Sequence, residues 1–98
     1  MSTINILTGG GSKVSATSTP AQLVFNPAAR SVSVYNATGG DAYLSINSST
    51  AELASAITAN SCVTVAPGAA YTFDAAAPFV ATLQYSVASA GTLYVGAH

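Results

Sequence analysis

Charged residues are scarce in this chain. Lys and Arg number 2 and Asp and Glu number 3, so 5% of the 98 residues are charged, against about 25% in ordinary soluble domains. The formal net charge is −1. Nucleic acids and anionic membrane surfaces are bound through clusters of Lys and Arg. The sequence therefore argues against both as partners.

Residues that carry chemistry are equally few. The chain has one Cys, one His and no Trp, so it can form neither an internal disulfide nor a zinc site. Cys62 lies in a strand-like run without a basic neighbour, which predicts an unreactive, at least half-buried thiol. Asp41 and His98 lack further metal ligands nearby, and nothing pairs Glu52 with Asp74 as acid and base. We expect no catalytic, cofactor-binding or metal-binding residues and predict that the chain is not an enzyme.

Long hydrophobic runs are missing too. Ser, Thr and Gly interrupt every apolar stretch, and none approaches the roughly 18 residues of a membrane helix. The first residues contain Ile4, Ile6 and Leu7 without a basic start, so they do not resemble a secretory signal. We expect an N-terminal arm and Gly-rich joint over residues 1–11, followed by one domain over residues 12–98. The arm could add a strand to a neighbouring subunit or form an edge strand of its own domain.

Apolar and polar residues alternate with period two along most of the chain, which indicates β-strands. Turn residues separate about seven or eight short strands, and no helical crossover connects them. The pattern predicts an all-β fold: a compact antiparallel β-sandwich or small barrel. The predicted strands cover residues 13–18, 22–25, 31–35, 42–47, 62–65, 71–73, 79–87 and 92–95.

Two segments carry more specific local signals. The strands at 31–35 and 42–47 flank Asn36 and the Gly39-Gly40 pair, which predicts a β-hairpin. Ser49 and Glu52 have the spacing of a helix capping box, and Leu53 and Ile57 are four residues apart. Residues 48–60 are therefore either a short helix or an irregular loop.

The surface favours association with other subunits. Ile, Leu, Val and Phe total 22 residues, a thin core for a domain of this length, and burial between subunits is a common remedy. Ser, Thr and Ala lose little side-chain entropy at an interface, whereas Lys and Glu lose up to about 2 kcal/mol each. We therefore expect much of this surface to be covered by other subunits in the working assembly. The alternative is a monomer whose neutral surface reflects amino-acid usage alone.

Several motifs in a fixed order resemble small structural proteins of tailed-bacteriophage virions, and among these the capsid decoration (cement) proteins. The resemblance covers roughly residues 22–96, and each motif is weak taken singly. The motifs are Arg30-Ser31-Val32-Ser33-Val34-Tyr35-Asn36, Gly39-Gly40, Tyr43-Leu44-Ser45-Ile46, Ala66-Pro67-Gly68 and Gly91-Thr92-Leu93-Tyr94-Val95.

The resemblance implies a non-enzymatic subunit on the capsid surface that bridges major capsid proteins and is made in the host cytoplasm. It also implies a homo-oligomer, a dimer or trimer. Two alternatives stay open: a tail, collar or fibre-base subunit of the same virion, and a sugar- or surface-binding β-sandwich module. Tyrosine suits docking surfaces because it offers a large contact area at low entropy cost. The candidate interface residues are Ile4, Ile6, Leu7, Tyr35, Tyr43 and Tyr94.

Overall fold

The computed structural model describes residues 3–7 as backbone, and residues 9, 11–74 and 79–98 in full. Nine strands and one helix follow one another along these residues. They are β1 (Thr3–Leu7), β2 (Gly11–Ala16), β3 (Ala21–Ala29), β4 (Ser31–Asn36), β5 (Ala42–Ile46), α1 (Thr50–Thr58), β6 (Val63–Val65), β7 (Ala70–Asp74), β8 (Val80–Val87) and β9 (Gly91–Ala97).

The strands form two sheets that face each other. One has five strands in the order β1-β3-β8-β5-β6, and the other has four in the order β2-β9-β4-β7. Without β1, this is the arrangement of a jelly roll, in which eight strands are divided between two sheets by Greek-key connections. The prediction of an all-β sandwich is confirmed, and the eight predicted strands correspond to β2–β9.

The core lies between the two sheets. The period-two alternation directs one face of each strand inwards, and Val32, Val34, Leu93 and Val95 of the four-stranded sheet are almost fully buried. Their counterparts on the five-stranded sheet include Leu23, Phe25, Leu44, Leu83 and Tyr85. Valine and alanine fill much of the remaining core, so the interior is narrow, as the composition predicts.

The predicted hairpin between β4 and β5 is wrong. β4 pairs with β7 and β9, whereas β5 pairs with β6 and β8 in the other sheet. The buried side chain of Asn36 explains the crossing: its Nδ2 donates to the carbonyl oxygens of Gly40 and Val65, each at 2.8 Å. Its Oδ1 accepts from the backbone N–H and the hydroxyl of Thr38. The turn residues thus form a corner between sheets.

The segment after β5 is the short helix α1, one of the two predicted alternatives. Ser49 is its N-cap, and its Oγ accepts a hydrogen bond from the backbone N–H of Glu52 at 3.1 Å. The helix contacts β5 and β8, with Leu53 fully buried but outside the core between the sheets. It therefore covers the side of the five-stranded sheet that points away from the core.

A buried glutamine, Gln84, lies near the N-terminal end of α1. The side-chain oxygen of Gln84 accepts from the hydroxyl of Ser45 and the backbone N–H of Ser48. Its nitrogen donates to Gln22 and Thr82. Because every polar atom of the amide has a partner, its burial carries little desolvation cost.

Two strands depart from the predicted pattern. β1 runs parallel to β3, with Ile4 opposite Leu23 and Ile6 opposite Phe25, so the chain has one parallel pair where only antiparallel pairs were predicted. The parallel direction is possible without a helix because β2, in the opposite sheet, carries the chain back. β3 continues past its predicted end to Ala29, through a cis Asn26–Pro27 bond and an irregular register.

The segment Thr3–Leu7 is thus an edge strand of its own domain, the second alternative for the predicted arm. The side chains of Ile4, Ile6 and Leu7 lie outside the described residues, as do residues 1, 2, 8 and 10. Residues 75–78 also lie outside them.

Candidate functional site

The outer face of the four-stranded sheet carries the exposed tyrosines. Since successive side chains of a strand point to opposite faces, the residues that alternate with the buried valines and leucines point outwards. We call this surface the outer face. It comprises Gly11, Lys13 and Ser15 of β2, Thr92, Tyr94 and Gly96 of β9, Ser31, Ser33 and Tyr35 of β4, and Ala70, Thr72 and Asp74 of β7.

The strand register arranges these side chains in rows that cross the sheet. One row, the tyrosine row, runs through Lys13, Tyr94, Tyr35 and Ala70. The rings of Tyr35 and Tyr94 lie 6.1 Å apart between centroids and tilt by 43°. Each tyrosine is 42% exposed, so the pair presents a large aromatic surface to its surroundings.

The neighbouring row consists of two glycines and two residues with small side chains. This second row, the glycine row, runs through Gly11, Gly96, Ser33 and Thr72. The hydroxyls of Ser33 and Thr72 form a hydrogen bond of 3.0 Å with each other, which satisfies part of their hydrogen-bonding capacity within the sheet. The glycine row is therefore a low floor beside the raised tyrosine row.

An open depression of about 440 Å³ lies between the two rows. Parts of both rows line it, together with Ser12 and the backbone around Val34 and Val95. A Cβ atom built on Gly96 would meet nothing closer than 4.0 Å, and one on Gly11 nothing closer than 3.7 Å. Neither glycine has a positive φ. Neither local packing nor backbone conformation therefore requires glycine on this floor.

The outer face is nearly neutral. Of its twelve residues only Lys13 and Asp74 carry charge, and they lie on β2 and β7, the two edge strands of this sheet. The centre of the face, on β9 and β4, is without charge. Contacts made there depend on shape and apolar area rather than on ion pairs.

Two of the six predicted interface residues meet on this face, namely Tyr35 and Tyr94. Tyr43 lies half-buried on the five-stranded sheet, opposite Ser86 and Thr64, so the three tyrosines do not form one patch. The three residues of β1 lie at the edge of that same sheet.

Sequence reasoning missed Gly11 and Gly96. Gly11 was assigned to a flexible joint, although it begins β2. The alternation in β9 places Gly96 on the same side as Tyr94, but the strand register was needed to align it with Gly11.

The remaining candidates are separated. Glu52 lies on α1, outside the five-stranded sheet, and Asp74 lies on the outer face of the other sheet, so their carboxyls are on opposite sides of the sandwich. Cys62 is half-buried and free. Among the described residues, no three His, Cys, Asp or Glu side chains come together as a metal site would require. No helix within these residues is long and apolar enough to cross a membrane.

Comparison with known proteins adds one structural similarity. The chain matches no protein-family model and no curated protein in sequence. Among solved structures, it is similar to the solution NMR structure of a de novo designed double-stranded β-helix. The two are 9% identical and superpose with a TM-score of 0.44, over 95% of this chain and 91% of the designed one.

Proposed function

We propose that this chain is a non-enzymatic structural protein of a virion: a decoration subunit that binds major capsid proteins on the capsid surface and stabilises the shell. The observation that carries the proposal is the outer face, which combines two exposed tyrosines with an uncharged centre. Such a surface favours stable protein contacts, since aromatic residues are enriched and charged residues depleted at interface cores.

Covering this surface costs little side-chain entropy, which supports the proposal. Serine, threonine, alanine and glycine make up most of the outer face, and ordering them costs little side-chain entropy. The edge strand β6, with the sequence Val63-Thr64-Val65, has none of the lysines that commonly guard exposed sheet edges. A subunit whose edges are covered by neighbours in a shell has less need of such guards.

The fold is compatible with this role but does not select it. Jelly rolls occur in viral capsid proteins, in lectins and in other binding proteins, so function has to be argued from the surface. The depression beside the tyrosines is mainly apolar, whereas sites for polar small molecules contain several converging polar groups. This favours a protein partner over a sugar.

Quantifying the chain in purified particles, together with a binding assay on shells, tests the proposal. A decoration protein is present in hundreds of copies per particle, whereas a tail, collar or fibre-base subunit is present in tens or fewer. Binding to purified shells should weaken less than about tenfold between low and high salt, because few charges are available for screening. Failure to bind shells, or a steeper salt dependence, would contradict the proposal.

A further inference from the structure

We propose that the outer face binds a second copy of this chain, so that the protein is a two-fold symmetric dimer with its two four-stranded sheets face to face. The inference rests on the two rows of the face and goes beyond the virion role. It concerns the isolated chain. Because a shell and a second copy would cover the same outer face, we expect the dimer to dissociate when the chain binds a shell, and the two associations are tested separately.

The two rows make the face self-complementary. They lie side by side, two residues apart along each strand, which corresponds to about 7 Å. A two-fold axis in the plane of the face, running across the strands midway between the rows, exchanges one row with the other. It places Tyr94 over the partner's Gly96 and Tyr35 over the partner's Ser33. Each copy then supplies a ridge and a floor, as an isologous interface requires.

The glycine floor is the part of the face that no other observation explains. The positions of Gly11 and Gly96 have room for a side chain within the molecule, and a larger residue would add apolar area to a strand that has little. Glycine leaves space for something outside the molecule. An aromatic ring matches the apolar lining and the open shape of the depression, and this chain has two such rings adjacent to it.

Charge and size also fit a second copy. The centre of the face is uncharged, so two identical faces can approach without strong like-charge repulsion. The four strands of the face are five to seven residues long and about 4.8 Å apart, which gives a face of roughly 400 Å² per copy and a total of about 800 Å², in the range of weak interfaces. The dimer is therefore expected to be weak, with a Kd of the order of micromolar.

Sedimentation equilibrium of the purified chain and its variants tests the inference. The wild-type chain should be dimeric at high micromolar concentration. Gly96→Lys fills the floor, and we expect it to weaken dimerisation by at least about tenfold, the effect of a central interface residue. Gly39→Lys is the matched control: it makes the same change at an exposed glycine with nothing within 4 Å of its Cβ position and no positive φ. This control should dimerise like the wild type.

A second variant covers the case in which Gly96→Lys fails to fold, as judged by circular dichroism. Tyr94→Ser removes half of the ridge and should also weaken dimerisation at least about tenfold, whereas Tyr71→Ser, equally exposed but not on the outer face, should not. A wild-type chain that stays monomeric at millimolar concentration would overturn the inference. So would a dimer that neither Gly96→Lys nor Tyr94→Ser weakens. A chain that is monomeric in isolation yet binds shells would leave the virion role standing while refuting the dimer.

Discussion

Replacing Asn36 by aspartate should make the stability of this chain depend steeply on pH. The side chain of Asn36 is fully buried, and its amide nitrogen lies 2.8 Å from two carbonyl oxygens, those of Gly40 and Val65. Aspartate has nearly the same shape, and it keeps the oxygen that accepts from Thr38. It replaces the two N–H donors with an oxygen that faces two other oxygens.

The magnitude follows from the protonation state of the introduced carboxyl. When protonated, it donates one hydrogen bond where the amide donated two, and the loss is about 1 kcal/mol. Burial and the two facing carbonyls raise its pKa in the folded state above the unfolded value of about 3.9. Between those two pKa values, the free energy of unfolding of Asn36→Asp then falls by about 1.4 kcal/mol for each unit by which the pH rises. From pH 4 to pH 7 the destabilisation of Asn36→Asp relative to the wild type should therefore grow by about 2–4 kcal/mol.

Urea unfolding of the wild type and of Asn36→Asp at pH 4 and pH 7 measures this difference. Both chains contain the native carboxylates, so their contributions to the pH dependence cancel when the two chains are compared. The matched control is Asn47→Asp. The side chain of Asn47 is exposed, and its oxygen accepts from the backbone N–H of Ala81 at 2.8 Å, a contact that a carboxylate makes at least as well. Its Nδ2 donates to the carbonyl oxygen of Phe79 at 3.1 Å, and water replaces this exposed hydrogen bond at little cost. The destabilisation of Asn47→Asp should stay below about 1 kcal/mol and should not increase with pH. Equal destabilisation by Asn36→Asp at both pH values would refute the reasoning.

Two further predictions concern the helix and a buried tyrosine. Leu53→Ala should lower the free energy of unfolding in urea by about 2–5 kcal/mol, because Leu53 is fully buried between α1 and the five-stranded sheet. Half-buried Ile57 is the control: an equal loss in Ile57→Ala would contradict this account of the helix. Burial raises the pKa of Tyr85 above 10.0, so its contribution to stability is present below pH 10 and is lost as the pH rises further. Tyr85→Phe should be less sensitive to alkaline unfolding than the wild type, and identical alkaline curves for the two chains would show that Tyr85 does not cause the loss.

The sequence was sufficient to predict which side of β4, β5 and β9 faces the core. In β8 the alternation is broken at its start, where Val80 is buried and Ala81 is exposed. Val32 and Val34 alternate with Ser33 and Tyr35, and burying the valines necessarily turns the tyrosine outwards. Apolar and polar residues alternate with period two because each strand of the sandwich has one side in the core and one side that faces solvent. The same local pattern sufficed to locate the eight strands of the jelly roll.

Strand pairing could not be predicted in the same way. A turn containing Asn36 and two glycines is compatible with a hairpin and with a corner between sheets, and the choice depends on Val65, 29 residues further along the chain. Among the described strands, β5 and β6 are the one consecutive pair that shares a ladder. The alignment of Gly11 with Gly96, on which the depression depends, likewise joins residues from opposite ends of the domain.

The position of β9 has a consequence for how the domain is made. β9 lies between β2 and β4 and pairs with both, so β2 has no partner, and β4 has only its ladder with β7, until Gly91–Ala97 has left the ribosome. Folding must then wait for translation to pass this point, and closing such distant contacts is slow. Until that moment the nascent polypeptide exposes unpaired strands, which makes it a substrate for chaperones that shield apolar segments.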